Sequence, residues 1–185
     1  MMSAWDLPYS LNVGGVDYEI REDFRSVLDI LSAFSDEGLT DAEKTQAMIE
    51  ILYYPEIPPV ECLKEAADKA IWFIDCGIVQ EDSVKPRSMD WVKDAAIIFP
   101  AVNKIAGFEV RKNEVIHWWT FYGWFMEIED GLFSQVLCIR QKLAKGKKLE
   151  KWEQEFLNNN RKLCELNSKE DKSKNDYEYF SELLK

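Results

Sequence analysis

One run of nine residues, His117-Trp118-Trp119-Thr120-Phe121-Tyr122-Gly123-Trp124-Phe125, restricts the fold more than any other part of the chain. Wound as a helix, it has no wet face. Val115, Trp118, Trp119, Tyr122, Phe125 and Met126 cover one broad side of the wheel, and Phe121 and Trp124 fall towards another. A helix that is apolar all round has to be surrounded by other elements, so the block reads as the central helix of a bundle. Some of its rings can instead protrude as interface anchors, because large aromatic side chains dominate binding hot spots. The block therefore serves as core, as partner surface, or as both at different residues.

The remainder of the chain supplies the neighbours. Leu11, Val13, Val16, Tyr18 and Ile20 flank Gly14-Gly15, which predicts a hairpin over 9–21 that must lie on helices, since two strands alone are marginal. Phe24, Val27, Leu28, Leu31 and Phe34 predict a first helix from Asp23 to Phe34. Thr40-Asp41-Ala42-Glu43 has capping-box spacing and opens a second, to Tyr53. After Pro55, Pro58 and Pro59, the stripe Val60, Leu63, Ala66, Ala67, Ala70, Ile71, Ile74 marks a third, closed by Gly77.

A fourth helix, capped by Ser88, carries Trp91, Val92, Ala95, Ile98, Phe99 and Val102, with Pro100 kinking it and Gly107 closing it. Asn113 is placed to cap the aromatic helix, which runs to Ile128. Asp130-Gly131 turns into a sixth helix to Ala144, and Lys147 to Lys162 reads as a seventh. The expectation is a mainly α, single-domain bundle of about seven helices with an N-terminal hairpin over residues 1–165. Residues 166–185 form a charged tail in which Tyr177, Tyr179, Phe180, Leu183 and Leu184 can make a short helix on a partner.

Composition narrows the function. At 185 residues, 46% of them hydrophobic, the chain can fill a core without a metal or disulfide staple. Its net charge of -11 repels phosphate backbones and anionic membranes, which favours protein partners over nucleic acid or lipid. Cys62, Cys76, Cys138 and Cys164 lack the spacing of a zinc site or redox dithiol and read as reduced thiols. Neither a secretion signal nor a membrane-spanning run is legible. Phosphate-binding glycine loops are likewise missing from the pattern.

No stretch resembles a reaction centre, and no catalytic, cofactor or metal residue is assigned. His117 is the only histidine, so imidazole chemistry would have to use it, together with a carboxylate from Asp75, Asp90, Asp94, Glu109, Glu127, Glu129 or Asp130. In so acidic a chain, solvated faces account for those carboxylates more simply. Arg140, Lys142, Lys145, Lys147, Lys148 and Lys151 are the one cationic concentration. They either complement a helix C-terminus or form a basic patch for an acidic partner.

Read together, the His-Trp-Trp-x-Phe block, the helix and extended link before it, and Asp130-Gly131-x-Phe133-Ser134 and Ile139-Arg140-x-Lys142 after it resemble the phage family named after gene product fifteen. The resemblance runs from the hairpin near Leu11 to the Lys147–Asn160 segment and is most specific between Asp94 and Lys151. Asp94, His117-Trp118-Trp119 and Phe121 are also similar to a pattern in small helical tail assembly chaperones, from which Pro100 and the charged C-terminal segment depart.

These resemblances imply a non-enzymatic role in tail morphogenesis of phages or prophages of Gram-positive bacteria. The expected activity is chaperoning the tape-measure or tail-tube protein in the host cytoplasm, with homo-oligomers conceivable. The alternatives are a structural component kept in the virion tail and, from another class, an enzyme using His117 with a carboxylate. The expected partner or core surface is His117, Trp118, Trp119, Phe121, Tyr122, Trp124 and Phe125.

Overall fold

The structure, a computed structural model, describes residues 5–78, 88–112 and 115–166. Among them a hairpin, β1 (Ser10–Val13) and β2 (Val16–Glu19), precedes eight α-helices. These are α1 (Phe24–Ser35), α2 (Asp41–Leu52), α3 (Leu63–Ile74), α4 (Ala95–Ala106), α5 (Trp118–Met126), α6 (Leu132–Ala144), α7 (Lys151–Asn159) and α8 (Arg161–Cys164). The fold is mainly α with a small antiparallel hairpin, the class the sequence predicts.

Gly14 and Gly15 both take positive φ, 59° and 83°, as a primed two-residue turn requires. The turn pairs Leu11 with Tyr18 and Val13 with Val16, sending Leu11 and Val13 into the core. Gly14 is doubly constrained, because a Cβ there would lie 3.0 Å from the Cys62 sulfur. The hairpin is held on the helices by Ile20 bridging Tyr53 and by the Arg21 N–H donating to the Leu52 carbonyl at 2.8 Å. Tyr53 itself is buried and donates its hydroxyl to the Ala66 carbonyl at 2.8 Å, tying the end of α2 to α3.

The first three helices start close to where the sequence places them, but the buried faces of the first and third are rotated. In α1 the fully buried residues are Phe24, Val27 and Ile30, and Phe34 is exposed. In α3 they are Ala66, Ala70 and Phe73, while Val60 and Ile71 face outwards at 79% and 47% exposure. The Thr40 capping box forms as expected, with the Glu43 N–H on the Thr40 hydroxyl at 3.3 Å and the Thr40 N–H on the Glu43 carboxylate at 2.8 Å.

Two helix starts are corrected. The fourth helix begins at Ala95 rather than near Ser88, because the Asp90 carboxylate accepts from the N–H groups of Val92 and Lys93 and closes a separate turn over 91–94. Pro100 lies inside α4, which continues to Ala106. The aromatic helix begins at Trp118. Before it, Ile116 and His117 are extended against residues 22–24, with Phe24 N–H on the Ile116 carbonyl at 2.9 Å and Trp118 N–H on the Glu22 carbonyl at 2.7 Å. Asn113 and the tail residues 167–185 lie outside the described residues.

The expected seventh helix is two, α7 and α8. Asn160 breaks it at φ -126°, ψ 36°, with both its backbone N–H (2.9 Å) and its side-chain amide (3.0 Å) on the Phe156 carbonyl, so the two close the end of α7 together. At the centre of the molecule Phe24 and Phe121 stack with centroids 4.3 Å apart, and Phe99 packs edge-on against Phe24. Burying rings of this size supplies a large part of the apolar burial that holds a small domain together.

Candidate functional site

His117 sits one residue before α5 and is buried. Its Nδ1 accepts the Trp119 N–H at 3.1 Å, so the imidazole is the N-cap of the aromatic helix. Its Nε2 lies 2.9 Å from the Pro8 carbonyl. A carbonyl can only accept, so the two bonds together assign the neutral tautomer with its proton on Nε2. The edges of Tyr9 and Phe73 enclose the ring at centroid distances of 5.4 and 5.8 Å. Both nitrogens of the only histidine are committed to the backbone.

The two following tryptophans face another helix end. The last carbonyls of a helix have no partner within the helix and must be satisfied elsewhere. Trp118 Nε1 donates to the Ile74 carbonyl and Trp119 Nε1 to the Phe73 carbonyl, each at 2.8 Å. The chain then reverses out of α3 through Cys76 and Gly77, both at positive φ, with Gly77 N–H on the Trp72 carbonyl at 2.9 Å. A side chain at Gly77 would meet Trp72 and Trp119 at 3.4 and 3.5 Å. His117-Trp118-Trp119 is thus a clamp that caps α5 and receives the C-terminus of α3.

The rest of the block divides by depth. Phe121 is fully buried, against the wheel reading that set it apart from the main apolar side. Val115 and Met126, placed on that side, are 61% and 60% exposed. Val115 precedes the helix, so the wheel does not apply to it. Tyr122, Trp124 and Phe125 are half-buried, with Phe125 4.7 Å from Trp91 and Trp124 edge-on to Phe108. Burial raises the Tyr122 hydroxyl above its usual range. Burial also pushes the neighbouring Cys76 thiol up to about 12, so it stays protonated at neutral pH.

The expected cationic group is not brought together as a patch. Arg140 is buried and clasps buried Asp94 through two bonds, at 2.6 and 2.8 Å. It also donates to the carbonyls of Ser88, Leu163 and Cys164, joining α6 to the turn before α4 and to the end of α8. Lys142 pairs at 2.6 Å with Glu153, a fully buried carboxylate that also accepts the Glu150 N–H. The Lys142 bond is the main cause that holds the Glu153 carboxyl below its usual range. Lys145, Lys147 and Lys148 are exposed. Asp94 stood out in the sequence as part of the family-like pattern but not as the partner of Arg140, and Glu153 was legible only as a member of an acidic composition.

An open apolar feature lies elsewhere. A groove of about 710 Å³ runs between one face of α2 (Asp41, Ala42, Thr45, Gln46, Ile49, Glu50) and one face of α3 and its lead-in turn. Ile49, Leu63 and Ala67 form its floor, and the exposed Ile57 and Val60 form its wall. Val60, Leu63 and Ala67 belong to the stripe that marks the third helix in the sequence, and helical spacing does not by itself separate those facing a core from those facing water. The available signal was the excess width of the stripe, which is too broad for one buried face.

No helix among the described residues is long and apolar enough to cross a membrane. No curated protein and no solved structure matches the chain. The family described as Bacteriophage Gp15 protein matches it over residues 5–166, which takes in the hairpin, the clamp, the Asp94–Arg140 clasp and the groove. On that extent of match the chain belongs to the Bacteriophage Gp15 protein family.

Proposed function

We propose that this family member acts without catalysis in phage tail morphogenesis, as an assembly chaperone that shields helices of the tape-measure or tail-tube protein until the tube forms. The observation that carries the reading is the apolar groove between α2 and α3, open on a protein whose net charge is -11. A chaperone for amphipathic helices needs such a surface, preformed and kept soluble by surrounding charge. Internal bonding supports the non-catalytic part of this reading, because the groups an acid–base enzyme would recruit, His117 and the buried carboxylates Asp94 and Glu153, are each consumed by bonds within the fold.

Quantitative mass spectrometry of purified particles and of lysate from the same infected or induced cells tests it. Abundance in lysate with absence from particles is the expected result. Fixed stoichiometric copies in particles would replace the chaperone with a structural tail component.

A further inference from the structure

We infer that the α2/α3 groove is built for one helix of a partner, an amphipathic helix whose apolar stripe is flanked by Lys and Arg. The shape argument comes first. Along α2 the lining residues recur as pairs one turn apart, Asp41-Ala42, Thr45-Gln46 and Ile49-Glu50, and on the facing side Val60, Leu63-Lys64 and Ala67-Asp68 do the same. Two facing ridges with a gap between them are what a third helix packs into. The α2 face from 41 to 50 is ~14 Å long at 1.5 Å per residue, which accommodates about two and a half turns of an incoming helix. Ala42 and Ala67 present only methyl groups, so a backbone can approach closely there, while Ile57 and Val60 supply exposed aliphatic surface for its stripe.

Charge selects the flanks. The rim carries three carboxylates, Asp41, Glu50 and Asp68, against one ammonium, Lys64. Asp41 and Asp68 have no ion-pair partner among the described residues, and Glu50 accepts only the Gln46 amide, at 2.7 Å. An incoming helix with acidic flanks would set like charges opposite each other, and one with Lys or Arg would neutralise them. The same acidity disfavours a second copy of this chain, whose own surface is acidic overall. This inference rests on the chaperone reading only for the origin of the helix, a tail protein, and not for the chemistry of the groove.

The test uses the full chain and two fluorescein-labelled 16-residue peptides, each with Leu at every third and fourth position, one flanked by Lys and the other by Glu. Fluorescence anisotropy should show the Lys peptide binding at least tenfold more tightly. Val60→Asp, at an exposed wall position, should weaken it tenfold or more, and Asp68→Lys should shift preference towards the Glu peptide. Circular dichroism melts of both variants confirm that they fold. Equal binding of both peptides, no binding, or binding indifferent to Val60→Asp would each overturn the inference. Concentration-dependent dimerisation of the wild type, abolished by Val60→Asp in sedimentation velocity, would also overturn it by identifying a second copy as the occupant. Particle mass spectrometry reads the chaperone role separately, so failure of the groove and failure of the role remain distinguishable.

Discussion

The clamp at the start of α5 and the groove between α2 and α3 make opposite use of hydrophobic residues. The clamp holds the most conspicuous residues of the chain, and each spends its polar atom inside: His117 on Trp119 and Pro8, Trp118 on Ile74, Trp119 on Phe73. The groove is floored by ordinary Ile, Leu and Ala side chains and walled by Ile57 and Val60 left facing water. Aromatic density therefore marks where this protein is tied together, and modest aliphatic residues mark where it is open. Trp and Tyr are suited to interfaces because one end is apolar and the other wet, but the same property lets an indole satisfy a buried helix terminus.

Substitutions can break this contrast. Arg140→Ala should cost most, about 3–5 kcal/mol, because it strands the buried Asp94 carboxylate and frees three carbonyls at once. Urea unfolding measures it, and a loss under about 1 kcal/mol would mean that the clasp is solvated. Trp118→Phe keeps an aromatic ring but removes both the N–H on the Ile74 carbonyl and part of a fully buried ring system, which should cost at least about 1–3 kcal/mol. If Trp118→Phe proves neutral, neither the indole bond nor its packing holds the clamp.

His117→Ala removes the N-cap and the Pro8 contact and should lower stability by about 0.5–2 kcal/mol. Thermal melts alongside a tail-assembly assay read this; lost assembly at unchanged stability would revive a chemical role for the imidazole.

Acid probes the link into the clamp. The Arg111 guanidinium brings the Glu109 carboxyl down from 4.5 to about 2, and Glu109 also accepts the Asn103 amide. Its folded value lies below its unfolded one, so its contribution is fully present above about pH 4.5 and is lost as pH falls from there towards 2. Glu109→Gln should flatten the stability profile in that window; identical profiles would show the ion pair to be inert. Smallest of all, Val60→Asp at the groove wall should stay within about 0.5 kcal/mol of wild type by urea unfolding. A larger loss would mean that the wall is core and not surface.

Much of the architecture was readable locally. The glycine pair of the hairpin, the Thr40 capping box and the periodic stripes of α1 and α3 are short-range instructions, carried by φ freedom, by a side chain within reach of its own backbone, and by helical spacing. The starts of α4 and α5 were not readable. Asp90 closing a turn of its own and Ile116-His117 pairing with residues 22–24 depend on which segments meet in space.

The chain alone determined a mainly helical fold around an aromatic helix, with a hairpin laid on it, and carried the family pattern. Only the tertiary structure decided that Arg140 belongs with Asp94 instead of with Lys145, Lys147 and Lys148, that His117, Trp118 and Trp119 face inwards, and that Val60 faces out. The reason is that spacing specifies which side chains share a face of a helix. What that face meets, another helix's carbonyls, a buried carboxylate or water, is set by elements tens of residues away.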